Sequence, residues 1–193
     1  MCGIVGALHR ADASFNLARG VSVLAHRGPN DHGVWEAPGV QLGFTRLSIL
    51  DLSAAGHQPM QSPDGRYVIV FNGEIYNFKK LAEELKERNI TFTSNSDGEV
   101  AFKSYLEWGD QFFHKLEGMF AFAIWDSENE TLLLARDAYG IKPLYYSAKD
   151  LDGNFAFASE VKALLKIVNK RKDVAGQVGY MLMGSVPEPH TIY

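Results

Sequence analysis

The chain contains a single cysteine, Cys2, which directly follows Met1. Cytoplasmic processing normally removes a methionine that precedes a small side chain, so the mature chain would begin with Cys2 and carry its free α-amine. The amine has a reference pKa of about 8 and the thiol one of about 8.5, so the amine is a suitable base for the thiol proton at neutral pH, through a water. A free cysteine is more often a small buried apolar residue, and Cys2 alone favours that alternative.

Arg46 is a charged residue inside the otherwise apolar stretch GFTRLSILDL. A guanidinium in such a strand needs a partner, which is either an internal carboxylate or the carboxylate of a ligand, held by two parallel hydrogen bonds. Taken alone, Arg46 favours the internal salt bridge.

The dipeptide Asn72-Gly73 in YVIVFNGEIYNF has two interpretations. Asn-Gly between apolar runs is the strongest short hairpin-turn signal. Alternatively, the Asn72 amide and the Gly73 backbone N–H form a pair of donors for a developing oxyanion, each typically worth about 3 kcal/mol of barrier. Spacing does not separate the two hypotheses, and Glu74, the next residue, either binds a ligand amine or faces solvent.

In TSNSDGEV, Ser96 or Asp97 is typical of a helix N-cap, and Asp97 could instead be the counter-charge of an ammonium group. Capping is the simpler interpretation of this stretch. The six histidines show no metal-ligand spacing, and the chain has no Walker or GxGxxG loop, so no cofactor is expected within it.

Composition narrows the function classes further. One cysteine allows no internal disulfide, and a net charge of −4 gives no electrostatic footprint for a nucleic-acid or membrane partner. The opening MCGIVGALHR is unlike a signal peptide, and no run approaches the roughly 20 apolar residues of a membrane span. We expect a soluble, cytoplasmic protein with a small polar partner.

Short β-like runs and helical segments arrive in clusters, which favours a layered α+β fold over regular βαβ alternation. Residues 126–129 separate two apolar runs and indicate an antiparallel hairpin. The predicted strands are Gly3–Leu8, Gln41–Ile49, Tyr67–Phe71, Met119–Trp125, Thr131–Ala135, Leu144–Ser147 and Asn154–Ala158. The predicted helices are Phe15–Leu24, Tyr76–Arg88, Gly98–Trp108 and Glu160–Val168.

Seven stretches in order, MCGIVG, HRGPNDHG, GFTRLSILDL, FNGEIYNF, SDGEV, LEGMFAFAIWD and ARDAYGIKPLYYS, closely resemble the class II glutamine amidotransferase domain, in particular that of glutamine-hydrolysing asparagine synthetases. The resemblance implies an N-terminal-nucleophile hydrolase fold, an αββα sandwich of two antiparallel sheets between helical layers. It also implies hydrolysis of L-glutamine to glutamate and ammonia through a thioester on the nucleophile. The roles it implies are Cys2 as nucleophile and its own α-amine as base, Asn72 and Gly73 as oxyanion hole, Arg46 for the α-carboxylate, Asp97 and Glu74 for the α-ammonium, and Ile49 as a further substrate-binding residue.

The tail YMLMGSVPEPHTIY resembles the start of a synthetase domain, which predicts a glutaminase domain over residues 1–170 and the truncated start of a second domain over 171–193. The resemblance places ATP and Mg²⁺ only in that missing domain, which would receive the ammonia. A homodimer is compatible with the sequence. A retained Met1 would put the α-amine on the wrong residue and block the pocket.

Two alternatives stay open. One is a degenerate domain that binds an amino acid or a partner without catalysis, which the presence of Cys2, Arg46, Asn72 and Asp97 disfavours. The other is an amidotransferase that feeds sugar-phosphate or purine synthesis, which GIKPLYY and the tail disfavour. Asn30, where the resembled family often has Asp, is a departure near the site.

Overall fold

Two antiparallel sheets form the centre of the computed structural model, which describes residues 1–10, 16–150, 153–169, 172–187 and 190–192. The first sheet has the strand order β2-β3-β1-β9-β8 and the second has the order β4-β5-β6-β7. The strands of the first sheet are β1 (Gly3–Leu8), β2 (Asp31–Ala37), β3 (Val40–Arg46), β8 (Tyr145–Tyr146) and β9 (Phe155–Ala158). Those of the second are β4 (Met60–Gln61), β5 (Tyr67–Ile75), β6 (Gly118–Asp126) and β7 (Thr131–Arg136).

Helices cover the outer face of each sheet. Helices α1 (Leu17–Val23) and α4 (Val161–Ile167) lie on the first sheet, and α2 (Phe78–Glu87) and α3 (Asp97–Trp108) lie on the second. Helix α5 (Val174–Met183) comes last, and short 3₁₀ turns span Ala54–Gly56 and Gly109–Lys115. The predicted αββα layering is confirmed.

Alternation along the strands explains why both faces of each sheet are apolar. In β5, Val68 and Val70 pack between the sheets, whereas Ile69 and Phe71 pack under α2 and α3. Successive strand residues point to opposite faces, so a continuous apolar run gives a sheet that is covered on both sides. Each fully buried aliphatic or aromatic side chain contributes roughly 1.5–3 kcal/mol of transfer free energy.

Strand β2 is absent from the predicted set. Its sequence DHGVWEA is mostly polar, and only Gly33 is buried, so it carries no apolar alternation. Pairing with β3 over seven positions, from Asp31 opposite Arg46 to Ala37 opposite Val40, creates the strand. Long-range pairing of this kind has no local sequence signal.

The strand predicted over Gln41–Ile49 ends earlier, at Arg46, because the chain turns there into a loop that folds back on the Arg46 guanidinium. The Asn72-Gly73 turn prediction is wrong, since both residues lie inside β5 and pair with β6. The hairpin at residues 126–129 is confirmed between β6 and β7.

The other predicted elements match within a few residues. The start of the first predicted helix at Phe15, the boundary between residues 170 and 171, and the tail residues 188, 189 and 193 lie outside the described ranges. In the ranges that are described, every helix is too short or too polar to cross a membrane.

Candidate active site

The antiparallel pairing of β1 with β3 places Cys2 beside the end of β3, because Gly3 is opposite Thr45. The end of β5 and the start of α3 close the same space from the second sheet. One pocket forms there, and it is lined by all seven residues singled out in the sequence, namely Cys2, Arg46, Ile49, Asn72, Gly73, Glu74 and Asp97.

The Cys2 thiol is half-buried and contacts the backbone of Leu47. Leu47 N–H donates to Sγ at 3.4 Å, and Sγ lies 3.8 Å from the Leu47 carbonyl. Burial raises the pKa of the Cys2 thiol, outweighing the Leu47 contact and the nearby N-terminal charge, which both lower it. The resting group is therefore the thiol, and attack by Cys2 on a substrate requires a base.

The α-amine at the pocket belongs to Met1 in the full sequence. Burial lowers the pKa of this amine, and the positive charges of Arg27 and Lys142 lower it further. Lys142 is itself buried, with Nζ 3.3 Å from Met1 Sδ. The Met1 amine is thus biased toward its neutral form, which is the form that accepts a proton.

Asn72 is buried, and its amide Nδ2 has no hydrogen-bond partner among the described residues. A buried donor without an acceptor costs about 1–3 kcal/mol, so such groups in native structures need an explanation. Gly73 is required by close approach, because a Cβ there would lie 2.7 Å from the Met119 carbonyl oxygen. The dipeptide lines the pocket from within β5 instead of making a turn.

The Arg46 guanidinium is buried at the pocket wall, where Nη1 donates to the Ser53 carbonyl and Nη2 to the Asp51 carbonyl, both at 2.7 Å. No carboxylate of the described chain pairs with it, so the internal salt bridge is wrong. Two of its five donors are used by these carbonyls, which leaves N–H groups for an anionic ligand.

Asp97 is at the start of α3, and the cap of that helix is Ser96, whose side chain accepts from Glu99 N–H. The Asp97 carboxylate accepts instead from Ile75 N–H at 2.9 Å and from Gly98 N–H at 3.0 Å. Burial raises the pKa of Asp97, and the nearby Glu74 raises it further. Within the described ranges neither Asp97 nor Glu74 forms an ion pair, which makes this corner of the pocket attractive to a positive charge.

Glu74 and Ile49 lie at the pocket rim, where both side chains are exposed. Three further groups line the pocket or contact its residues, and none of them was among the predicted site residues. Gln58 Oε1 accepts from Phe71 N–H at 2.6 Å, Arg27 Nε donates to the Cys2 carbonyl at 2.9 Å, and Lys142 lines the pocket. Their contacts depend on loop paths, so residue type was their only sequence signal.

Comparison with known proteins decides the family. The family model described as the glutamine amidotransferase domain matches residues 1–193. The chain belongs to the glutamine amidotransferase domain family. Asparagine synthetase [glutamine-hydrolyzing] 1 of Bacillus subtilis is 40% identical over 199 residues, which cover 100% of this chain and 31% of that protein. Asparagine synthetase [glutamine-hydrolyzing] 3 of the same organism is 38% identical over 171 residues, 86% of this chain and 27% of its own length.

The amidotransferase domain also shares its fold with a solved structure, the glutamine phosphoribosylpyrophosphate amidotransferase of Bacillus subtilis. The TM-score is 0.71 at 20% identity, covering 84% of this chain and 43% of the other. The fold likeness reaches another amidotransferase, whereas the sequence likeness is to asparagine synthetases. The chain spans about 30% of the length of the curated relatives it matches.

Proposed function

We propose that this amidotransferase domain hydrolyses L-glutamine to glutamate and ammonia with Cys2 as nucleophile, once Met1 has been removed. The observation that carries the proposal is the buried Asn72 amide, which lines the same pocket as the Cys2 thiol and has no acceptor in the described chain. An oxyanion formed by attack of Cys2 would supply that acceptor.

The charged walls of the pocket support glutamine as the substrate. Arg46 holds the α-carboxylate, while Asp97 and the rim residue Glu74 hold the α-ammonium, with Ile49 as an apolar contact at the mouth. Pairing with an ammonium favours the ionised form of Asp97, which burial disfavours in the free pocket. A substrate lacking either charge would leave a buried group unpaired, which gives strong discrimination.

The reaction then needs only residues of this chain and one water. The Cys2 α-amine accepts the thiol proton, and Sγ bonds to the side-chain amide carbon of glutamine while the carbonyl electrons move onto oxygen. Asn72 Nδ2 and the Gly73 N–H stabilise that oxyanion. Its collapse breaks the C–N bond, and the departing nitrogen takes the proton and leaves as ammonia. Water cleaves the thioester, which releases glutamate and restores the thiol.

In the whole protein, the ammonia would pass to an ATP-dependent domain of the asparagine-synthetase type, which also holds ATP and Mg²⁺. Residues 171–193 would begin that domain. The likeness to asparagine synthetases, of which the chain covers about 30%, and the chemistry of the pocket support this assignment. We expect the protein in the cytoplasm, where its single thiol stays reduced.

The test is the intact mass of the purified chain before and after incubation with a diazo-ketone analogue of glutamine. Cys2 is the only thiol, so a thiol adduct has one place to form. We expect loss of Met1, a single adduct on Cys2, and protection by excess L-glutamine. The Cys2→Ala variant is the matched control and should take no adduct. If processed Cys2 does not react with the analogue and no ammonia is released from glutamine, the results would favour the alternative of a non-catalytic binding domain.

A further inference from the structure

In the part of the chain that the structure describes, the first residues of β1, next to Cys2, have no strand partner on the side that faces β9. The ladder between β1 and β9 begins only at Val5, which is opposite Ala158. From Val5 toward the start of the chain, the contacts on this side come from Ser159 and Glu160, which join β9 to α4.

Ser159 extends the ladder by one residue. Its N–H donates to the Ile4 carbonyl at 2.8 Å, and its hydroxyl oxygen accepts from Ile4 N–H at 3.0 Å. Ser159 is fully buried, so water does not compete for these bonds.

Glu160 reaches the nucleophile through one intermediary. Its Oε1 accepts from Arg27 Nη1 at 2.9 Å, and Arg27 Nε donates to the Cys2 carbonyl at 2.9 Å. The Arg27 side chain is 8% exposed. His26 and Lys162 also contact the carboxylate, at 2.9 Å and 3.0 Å. Burial would raise the pKa of Glu160, but these three hydrogen-bond donors outweigh it and lower the pKa to about 2, so the carboxylate is charged at neutral pH.

From these contacts we infer that Glu160, acting through Arg27 and helped by Ser159, is a positioning residue for the nucleophile Cys2. This inference rests on the proposed function and deepens it. Neither Glu160 nor Arg27 lines the described pocket, so neither is placed to contact the substrate.

Cys2 needs contacts that hold it in place because it becomes the first residue of the chain. After removal of Met1, Cys2 is joined covalently only to Gly3, and a terminal residue held at one end needs non-covalent contacts to fix its carbonyl, amine and thiol. A displacement of about 1 Å at a reacting atom can cost about 100-fold in rate. The Glu160-Arg27 pair supplies a rigid, charge-assisted contact to the carbonyl of the nucleophilic residue.

The experiment compares glutamine hydrolysis by the processed full chain and by its Glu160→Gln variant. The variant keeps one oxygen acceptor for Arg27 but loses the charge, so we expect kcat to fall about tenfold. The KM for glutamine should stay within about twofold, because Arg46 and Asp97 are untouched. Glu107→Gln is the matched control, since Glu107 pairs with Arg88 at 2.7 Å on the outer helix α3, and it should leave both constants unchanged.

A second variant, Ser159→Ala, removes one bond to Ile4 and should lower kcat about threefold with the same KM. It decides the matter if Glu160→Gln does not fold. Unchanged kcat in the variant that folds, or a raised KM with unchanged kcat, would overturn the inference. If the wild-type chain itself releases no ammonia, the proposed function fails, and the positioning role is then decided by iodoacetamide alkylation of Cys2. A rate in Glu160→Gln equal to wild type would overturn it, and one changed about threefold or more would support it.

Discussion

Two buried aspartates in different regions have pKa values that are shifted in opposite directions. Asp126, at the turn between β6 and β7, is 7% exposed, and Asp97, in the pocket, is 9% exposed. Asp126 accepts from Arg66 Nε and Nη2 at 3.0 and 2.8 Å. It also accepts from the backbone N–H groups of Glu128 and Asn129 and from Asn129 Nδ2. Asp97 accepts from two backbone N–H groups and has no cation beside it in the described chain.

The pKa values follow this difference. The Arg66 hydrogen bond holds the pKa of Asp126 well below its usual range, whereas burial raises the pKa of Asp97. Two asparagines repeat the contrast. Asn77 donates to the Lys115 carbonyl and accepts from Glu117 N–H, while Asn72 Nδ2 has no described partner. In these two comparisons, the framework residue, which lies outside the pocket, has its polar side-chain atoms paired, and the pocket residue lacks a cation or an acceptor that a ligand could supply.

The largest effect is expected when Asn72, the pocket member of the two compared asparagines, is replaced. Asn72→Ala removes a donor that we assign to the oxyanion, so kcat for glutamine hydrolysis should fall about 100- to 1000-fold. Its free energy of unfolding should fall by no more than about 1 kcal/mol, because no native hydrogen bond of Nδ2 is lost and an unpaired buried donor is removed.

Asn77→Ala is the matched control, and it should lower stability by about 1–2 kcal/mol while leaving kcat unchanged. Steady-state ammonia release and urea unfolding measure the two effects. Equal kcat losses in both variants would show that the contrast between the asparagines has no catalytic meaning.

Replacing Asp97, the aspartate of the pocket, should weaken glutamine binding. In Asp97→Asn the α-ammonium of glutamine loses a charged partner worth about 1.5–3 kcal/mol, so KM should rise about 10- to 100-fold. Kcat at saturating glutamine should change much less, since Asp97 is not assigned to the reacting atoms. A variant with wild-type KM would remove Asp97 from the binding site.

The site shows how far the sequence alone could lead. Residue types alone favoured a buried apolar cysteine for Cys2, an internal salt bridge for Arg46 and a helix cap for Asp97. The resemblance of seven ordered stretches to a known family predicted that the three share a site, and all three line the same pocket. Asn72-Gly73 was ambiguous, since the same dipeptide makes hairpin turns, and only the nine-residue pairing of β5 with β6 keeps it inside a strand. The partners of Arg46 are backbone carbonyls of a loop. Every residue has such a carbonyl, so the sequence does not indicate which of them Arg46 contacts.

The fold divides in the same way. Strands with apolar alternation and helices with clear periodicity were predicted because burial imposes a pattern on neighbouring residues. Strand β2 was not, because its main support is the ladder to β3 and its own residues are mostly polar. Local patterns therefore predict elements that bury their own side chains and miss elements held by a distant partner.

Replacing Asp126, the framework aspartate at the turn between β6 and β7, should lower the stability of the fold. Asp126→Asn weakens the bidentate contact with Arg66, and after allowance for solvent screening we expect a loss of about 1 kcal/mol in the free energy of unfolding. KM and kcat for glutamine should equal those of wild type, since Asp126 is at the turn and not in the pocket. A change in either constant would contradict the division between framework and pocket.

The smallest effect is in the pH dependence, where the two aspartates should have opposite signs. Asp126 has a lowered pKa, so its contribution to stability is present above the ordinary value of 3.8 and is lost as the pH falls through its folded pKa. Asp97 has a raised pKa, so the free protein loses stability as the pH rises from 3.8 through that raised value. Each Asn variant should therefore flatten its own part of the stability curve.

Glutamine binding provides a sharper form of the same prediction. An ammonium binds the ionised carboxylate, so the wild-type KM should rise a few-fold as the pH falls from neutral toward the raised pKa of Asp97, which lies above the ordinary value of 3.8. The KM of Asp97→Asn should be high and flat over that range. Protonation of the Cys2 α-amine would lower kcat instead, so the two titrations separate. A wild-type KM that stays constant as the pH falls to the ordinary value of 3.8 would show that Asp97 does not hold the ammonium.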